Sequence, residues 1–393
     1  MRLLSISSSR ADVGILAPVW RAVAQDPDAA LCVLLTGMHV GDDTAAREAI
    51  PDLAQVYSGG ADLGGGERVE SARAMGVITA FAADVYADWK PDLVLAVGDR
   101  LDMIPAVLAA VPFDVPIAHL HGGEQTFGAI DNDVRNALTK LAHVHCAASV
   151  EAAIRLNEMG EEAWRIHVTG GPGLDTMLAV PEMTEETFAT ETDLAAVAGL
   201  RLVTLHPETR AAAPTACLDA ALEALAARPA PTLFTAPNSD PGGAEMRARI
   251  EAFVQEHSWC AFRETLGSVR YANALRHASM MIGNSSSGLI EAPLFGLPAI
   301  NIGGRQEGRE RATNVRDCPA VSAAVLQVMD RIDLEQRQVM GVSPYGDGQS
   351  GPRIAKVLRD VVNVPDITRK GGSSEIAAFR APWEQEAPKT VAG

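Results

Sequence analysis

Glu124, Asp131 and Arg135 fall within fifteen residues, HGGEQTFGAIDNDVR at 121–135, directly after the apolar run VPIAHL. Asp99 stands in a similar place, in GDR after LVLAV. Carboxylates next to buried strands are unfavourable unless they are solvated, paired or used. Crowded carboxylates push each other's proton affinities apart, so one stays protonated as an acid while another is ionised as a base. Gly122 and Gly123 remove side-chain bulk, which lets a ligand approach the backbone. Asp131 taken alone is also an ordinary helix cap for NDVRNALTKLA, paired with Arg135 at i, i+4. Asp133 fits a first-turn acid favoured by the helix dipole.

A second set of residues suits an anion. In GNSSSGLIEAP at 283–293, Ser285, Ser286 and Ser287 occupy a strand-to-helix turn, where free N–H groups and the helix dipole favour negative charge. Glu291, further along, is placed to accept hydrogen bonds from ribose hydroxyls. The same serines are also ordinary cap and turn residues. Arg10 follows LLSIS, and Arg305 follows PAINIGG. Arginine grips phosphate by two parallel hydrogen bonds, although a lone arginine is as readily a solvated charge. His206 follows RLVTL, and Asn238 follows PTLFTAP. Each has a turn-forming reading beside a ligand-binding one. Carboxylates dominate the first half, and Ser, His and Arg the second. Acid–base chemistry on one wall and phosphate binding on the other is the pairing this suggests.

The elements that position these residues alternate. Short apolar runs (LLSIS, LCVLLT, DLVLAVG, PIAHLHG, VHCAAS, RIHVTG) are separated by helical patterns such as PVWRAVAQ, RVESARAMGVITAFAADVYADW and DMIPAVLAA. Continuously apolar strands joined by helices predict a parallel sheet covered on both faces. The pattern pauses at TGGPGLDTM and restarts with RLVTLHP, PTLFTAPN, WCAFRE, MMIGNSSS and PAINIGG. The chain is therefore read as α/β, with two doubly wound domains: 1–170 carrying the carboxylates, 171–365 carrying the anion-binding residues, and an irregular tail at 366–393, with a hinge near 170–175. In such sheets ligands bind beyond the carboxyl ends of the strands, where all these polar residues lie. DLGGGERVE at 62–70 reads as a loop, and its glycines make no dinucleotide-binding fingerprint.

Of 393 residues, 50 are acidic and 33 basic, a formal net charge of −17. That balance argues against nucleic acid and anionic membranes as general partners. The hydrophobic share, 47%, supports real cores. Cys32, Cys146, Cys217, Cys260 and Cys318 form no C-x-x-C pair and no zinc-spaced cluster, so they read as reduced thiols of a cytoplasmic protein. MRLLSISSSRAD has too short an apolar run for a signal peptide, and no stretch approaches a membrane span.

These same segments resemble the UDP-N-acetylglucosamine 2-epimerase family, especially its hydrolysing branch in sialic- and legionaminic-acid routes. The likeness runs through SSRADVGILAP at 8–18, GDR at 98–100, HLHGGEQTFGAIDNDVRNALTKLAHVH at 119–145, TGGPGLD at 169–175, LHPET at 205–209, GNSSSGLIEAPLFGLPAINIGGRQEGRE at 283–310 and YGDGQSGPRIAKVL at 345–358. The resemblance implies two Rossmann-like domains facing across a cleft, a glycosyltransferase-B type fold, with a UDP-sugar substrate, no metal and no cofactor. It implies Asp99, Glu124 and Asp131 as catalytic carboxylates, Arg135 as an active-site arginine and His206 near the diphosphate. Arg10, Ser285, Ser286, Glu291 and Arg305 match nucleotide-side positions, and Asn238 joins them from its strand exit. Non-hydrolysing members carry a basic HRREN-like stretch where this chain has HPET. Ile15 stands where many members have a lysine, one positive charge fewer beside the diphosphate. The implied assembly is a homodimer or homotetramer. The implied reaction releases UDP and a free 2-epimerised sugar. The alternatives are the same reaction on UDP-N,N'-diacetylbacillosamine, a non-hydrolysing epimerase, a glycosyltransferase of the same fold and a catalytically dead UDP-sugar-binding protein.

Overall fold

The computed structural model describes residues 1–63, 68–125, 130–208, 211, 213–238, 240–334, 343–372 and 377–384. The chain divides into two compact units, one made of Met1–Thr176 with Tyr345–Gly393, the other of Met177–Pro344. The first unit is built on seven strands: β1 (Arg2–Ser7), β2 (Ala30–Leu35), β3 (Gln55–Ser58), β4 (Leu93–Val97), β5 (Ile117–Leu120), β6 (Val144–Ala147) and β7 (Ile166–Val168). Their order is β3-β2-β1-β4-β5-β6-β7, all parallel. Leu3, Leu4, Ile6, Leu34 and Leu95 are fully buried, because crossover helices cover both faces of the sheet. Each such side chain contributes about 1.5–3 kcal/mol of transfer free energy. The chain moves outward from β1 to β3, then returns to place β4 on the other side of β1. The carboxyl ends of β1 and β4 therefore form the topological switch point, where such sheets bind ligands.

The second unit repeats the plan with β8 (Arg201–Thr204), β9 (Thr232–Thr235), β10 (Cys260–Arg263), β11 (Met280–Gly283), β12 (Ala299–Ile302) and β13 (Val315–Cys318), ordered β10-β9-β8-β11-β12-β13. Every pairing is again parallel. Val203, Phe234, Ile282 and Ile300 enter one core cluster, while Leu202, Leu233, Met281 and Ala299 enter another. Neighbouring residues of one strand thus fill opposite faces. The switch point lies between β8 and β11. At its mouth Gly283 adopts φ +150°, and a Cβ there would lie 1.9 Å from the Thr204 carbonyl oxygen.

Several expectations are refined by the structure. The sequence runs anticipate eleven of the thirteen strands found among the described residues. The two without an apolar run, QVYS (β3) and VRDC (β13), are both sheet edges. An edge strand is covered less completely and needs no continuous apolar run. The first helix spans Arg10–Ala24, beginning well before PVWRAVAQ, because Ser9 and Asp12 form a reciprocal capping box. Arg68–Trp89 is helical as expected, so 68–70 of the anticipated loop belong to it, and 64–67 lie outside the described residues.

The C-terminal part of the anticipated second domain belongs elsewhere. Helix Ser350–Val361 is part of the first unit, where Ile354, Leu358 and Val361 join the core around β1. Asp175 accepts hydrogen bonds from the backbone N–H of Ser350 at 3.0 Å and Gly351 at 2.7 Å, fastening the start of that helix. The described part of the tail also packs on this unit. Lys370 pairs with buried Glu161 at 2.6 Å, and Trp383, only 4% exposed, joins Ala152 and Leu156. Residues 373–376 and 385–393 of the tail lie outside the described residues. Among the described residues no helix is long and apolar enough to cross a membrane.

Candidate functional site

In the first unit the exits of β4 and β5 and the start of helix Asp131–Leu141 converge. Arg135, 5% exposed, forms an ion pair with Asp99 and donates to the Glu124 carbonyl oxygen at 2.8 Å. One guanidinium thereby ties the β4 exit to the β5 exit. Burial holds the Asp99 carboxyl above its ordinary range; Arg135 opposes that, while the charges of Asp131 and Glu124 add to it. These carboxylates sense one another, the condition for dividing acid and base roles.

The scaffold behind them is neutral and tight. His119 is buried, its ring held neutral with a pKa of about 3, and its Nε2–H donates to the Gly98 carbonyl at 2.8 Å. That bond fixes the turn leading to Asp99. Gly123 has φ +78°, and a Cβ there would lie 2.2 Å from the Ala152 carbonyl oxygen. Arg155 donates to the Gly123 carbonyl at 3.0 Å. Between these, His121 donates or shares a proton through Nδ1 with Glu124 Oε1 at 2.6 Å.

In the second unit the exits of β8 and β11 are joined by Asn284, which is fully buried. Its Oδ1 accepts from the His206 N–H at 2.8 Å, and its Nδ2 donates to the His206 carbonyl at 2.8 Å. Gln306 and Arg305 donate to the Asn284 carbonyl at 2.8 and 3.3 Å. His206 Nδ1 accepts from the Asn238 N–H at 3.1 Å, so the neutral ring carries its proton on Nε2. Burial, helped by the Arg305 charge, lowers the His206 pKa to about 4. A neutral donor beside an arginine is suited to a diphosphate oxygen. The Glu208 carboxylate accepts from the backbone N–H groups of Gly304 and Arg305, both at 2.8 Å, and so shapes the loop after β12. Glu291 has a buried Oε2 without a partner among the described residues, and burial raises its pKa. Such an atom awaits a donor.

The residues named from sequence fall into these groups with corrections. Asp131 is not a cap: the cap position belongs to Ile130, which makes no side-chain capping bond, and Arg135 pairs with Asp99 rather than with Asp131. The serine segment opens only a four-residue helix, Ser287–Ile290, followed by a tight turn at Ala292–Phe295, and Ser286 makes no capping bond. The long helix dipole expected there is absent, and what remains is a strand-to-helix turn. Ser285 Oγ accepts from the Ser287 N–H at 3.4 Å. Arg10 lies at the β1 exit, 70% exposed and paired with Asp42 at 2.5 Å. Sequence reading passed over Asn284 and Gln306. A polar side chain directly after an apolar strand was the available signal for Asn284. Among the described residues no cluster of three His, Cys, Asp or Glu side chains is arranged to hold a metal.

Known proteins resemble this chain in sequence and in fold. The family model described as UDP-N-acetylglucosamine 2-epimerase matches residues 21–359. A hydrolysing UDP-N,N'-diacetylbacillosamine 2-epimerase from Legionella pneumophila is 30% identical, covering 92% of this chain and 96% of that protein. A hydrolysing GDP/UDP-N,N'-diacetylbacillosamine 2-epimerase from Campylobacter jejuni is 28% identical, covering 80% and 84%. The crystal structure of a UDP-GlcNAc 2-epimerase from Neisseria meningitidis bound to UDP-GlcNAc superposes with a TM-score of 0.73 at 17% identity, covering 92% of this chain and all of that one. The shared fold is the glycosyltransferase-B type, built from two Rossmann-like parallel-sheet units.

Proposed function

The chain belongs to the UDP-N-acetylglucosamine 2-epimerase family, and on that premise we propose that it is a hydrolysing 2-epimerase of a UDP-linked 2-acetamido sugar. The observation that carries the reading is the set of Asp99, Glu124 and Asp131, with the charges of Glu124 and Asp131 acting on Asp99 and with Arg135 paired to Asp99 and bonded to the Glu124 carbonyl. The C2 hydrogen of such a sugar is not next to a carbonyl, so the C1–O bond to UDP must loosen first. Positive charge developing at C1 acidifies the C2 proton. A carboxylate takes that proton, the C1–O bonding pair leaves with UDP, and a C1=C2 double bond forms in a 2-acetamidoglucal. Water then adds to C1, giving its proton to an ionised carboxylate, while a proton arrives at C2 on the opposite face. Two stages on two faces need separate acids and bases, which Asp99, Glu124 and Asp131 supply. Arg135 orients them. His206 and Arg305 stabilise the departing diphosphate, with Arg10, Asn238, Ser285 and Ser286 on the nucleotide and Glu291 accepting from the ribose.

HPET in place of a basic stretch supports the hydrolytic outcome; its Glu208 carboxylate accepts from the backbone N–H groups of Gly304 and Arg305. Both named relatives act on diacetylbacillosamine nucleotides, which favours UDP-N,N'-diacetylbacillosamine as the substrate over UDP-N-acetylglucosamine. The product in either case feeds nonulosonic (sialic-acid-like) acid synthesis in the cytoplasm, and the working enzyme is a homodimer or homotetramer. Proton NMR of the purified protein with each UDP sugar tests the reading. Free UDP and a free 2-epimer are expected, fastest with the diacetylated sugar. A 2-epimer still attached to UDP, or sugar transfer with C2 retained, overturns it.

A further inference from the structure

Beyond the carboxylates, we infer that His121 is the proton donor of the hydration step, held for that task by Glu124. This rests on the hydrolytic reading above. Inversion at C2 removes a proton from one face and returns one to the other, so the returning proton needs its own carrier. His121 has the geometry of one. Its backbone sits at φ +62°, a left-handed conformation uncommon outside glycine, though asparagine, aspartate and histidine adopt it more readily than other residues. Strain of this kind persists where the surroundings impose it, and it gathers at functional sites. Here Gly122 and Gly123 follow at once, and Arg155 and Arg135 hold the carbonyls of Gly123 and Glu124.

The ring itself is half committed. Nδ1 is engaged by Glu124 at 2.6 Å, while Nε2 is buried without a hydrogen-bond partner among the described residues. Imidazoles fixed at one nitrogen by a carboxylate present the other for proton transfer. Gly171 packs beside the ring: a Cβ there would lie 3.5 Å from His121 Cε1. The charged and titratable groups around the ring are Glu124 on its own loop, Asp99 after β4, Arg135 on the following helix and neutral His119. Burial and Arg135 favour the neutral ring; Glu124 and Asp99 outweigh them and raise the His121 pKa above its ordinary value. The charged ring is therefore favoured more than in an ordinary imidazole.

The step balances as follows. The Nε2–H bond breaks and its proton bonds to C2. The C1=C2 π pair becomes the new C2–H bond, and C1 bonds the oxygen of a water whose proton passes to a carboxylate. His121 is left neutral and is reprotonated from solvent after product leaves. Glu124 in this scheme serves the acid–base set through His121, as a positioning residue, and leaves Asp99 and Asp131 to take the protons from C2 and from water.

The test uses the full chain, with UDP and sugar products followed together by proton NMR. In H121Q and H121N the 2-epimer should form about 10²–10⁴ times more slowly, while UDP release falls less and the glucal accumulates. Wild-type rates and a wild-type ratio of epimer to UDP in both variants overturn the inference. Should neither variant fold, histidine-selective carbon labelling of the wild type decides. The His121 ring should titrate above the ordinary value, and lower in E124Q; a ring titrating at or below it, unmoved in E124Q, overturns the inference. A wild type that leaves the epimer on UDP overturns the hydrolytic reading and this step with it. Wild-type hydrolysis with unimpaired His121 variants overturns this step alone.

Discussion

At the scale of single residues, one buried guanidinium organises the first site: Arg135 pairs with Asp99 and bonds the Glu124 carbonyl. Asp99 and Glu124 stand out in the sequence because each follows an apolar strand and a glycine turn, and Asp131 because it opens the next helix. Nothing local says that Arg135 would bypass Asp131, four residues before it, for Asp99, thirty-six residues before it. The i, i+4 rule describes an exposed helix face, whereas Arg135 is turned into the protein, where the β4 exit brings the Asp99 carboxylate to it. His121 stands at a strand exit that the residue order shows, but its left-handed backbone does not show there. The Asp99–Arg135 arrangement makes a direct prediction. Asp99→Asn keeps the shape but cannot carry a proton, so turnover should fall about 10²–10⁴-fold with UDP affinity nearly unchanged. Steady-state kinetics alongside titration calorimetry checks this, and a near-wild-type kcat would remove Asp99 from the proton-transfer set.

Elements follow a different rule. Strands buried on both faces announce themselves by composition, and the sequence finds them; β3 and β13 escape because edges tolerate Gln55, Ser58, Arg316 and Asp317. The helix after the serines is short because Pro293 and Gly296 close it quickly, with Gly296 in the left-handed region at φ +59°. The crossing at the β8–β11 switch point is where an element is most sensitive to one atom. Gly283→Ala adds a methyl that would meet the Thr204 carbonyl oxygen, at a φ rarely adopted by side chains. It should destabilise the protein by about 2–5 kcal/mol. Denaturant unfolding measures this, and a variant as stable as the wild type would mean that the two strands part easily.

For the whole molecule, buried histidines set the response to acid. Burial lowers the pKa of His119 to about 3, and burial with nearby Lys370 lowers that of His143 to about 4, the same level as His206, against an ordinary 6.5. The unfolded chain takes up protons near 6.5 that the folded chain refuses, so stability should fall as pH drops from about 6.5 towards 4. Glu161 adds to this in more acidic solution. Hydrogen bonds from His145, Lys140 and Lys370 overcome its burial and hold its pKa at about 2, a contribution lost as pH falls towards that value. His121 works the other way, its contribution being lost as pH rises through its raised pKa. The net expectation is a Tm that declines steadily between pH 6.5 and 4, read by calorimetry; a level Tm across that span would contradict the buried, neutral assignment. Local residue order marks the α/β class, the two sheets and the placement of polar residues at strand exits, because strand burial and strand-to-helix turns leave their trace in it. Long-range packing settles that Ser350–Val361 lies against helix Arg10–Ala24, that Asn284 bridges two strand exits and that His121 is held by Glu124 in a left-handed turn. Those outcomes depend on which buried surfaces meet, and a generic amphipathic helix or a lone polar residue carries no address for its partner.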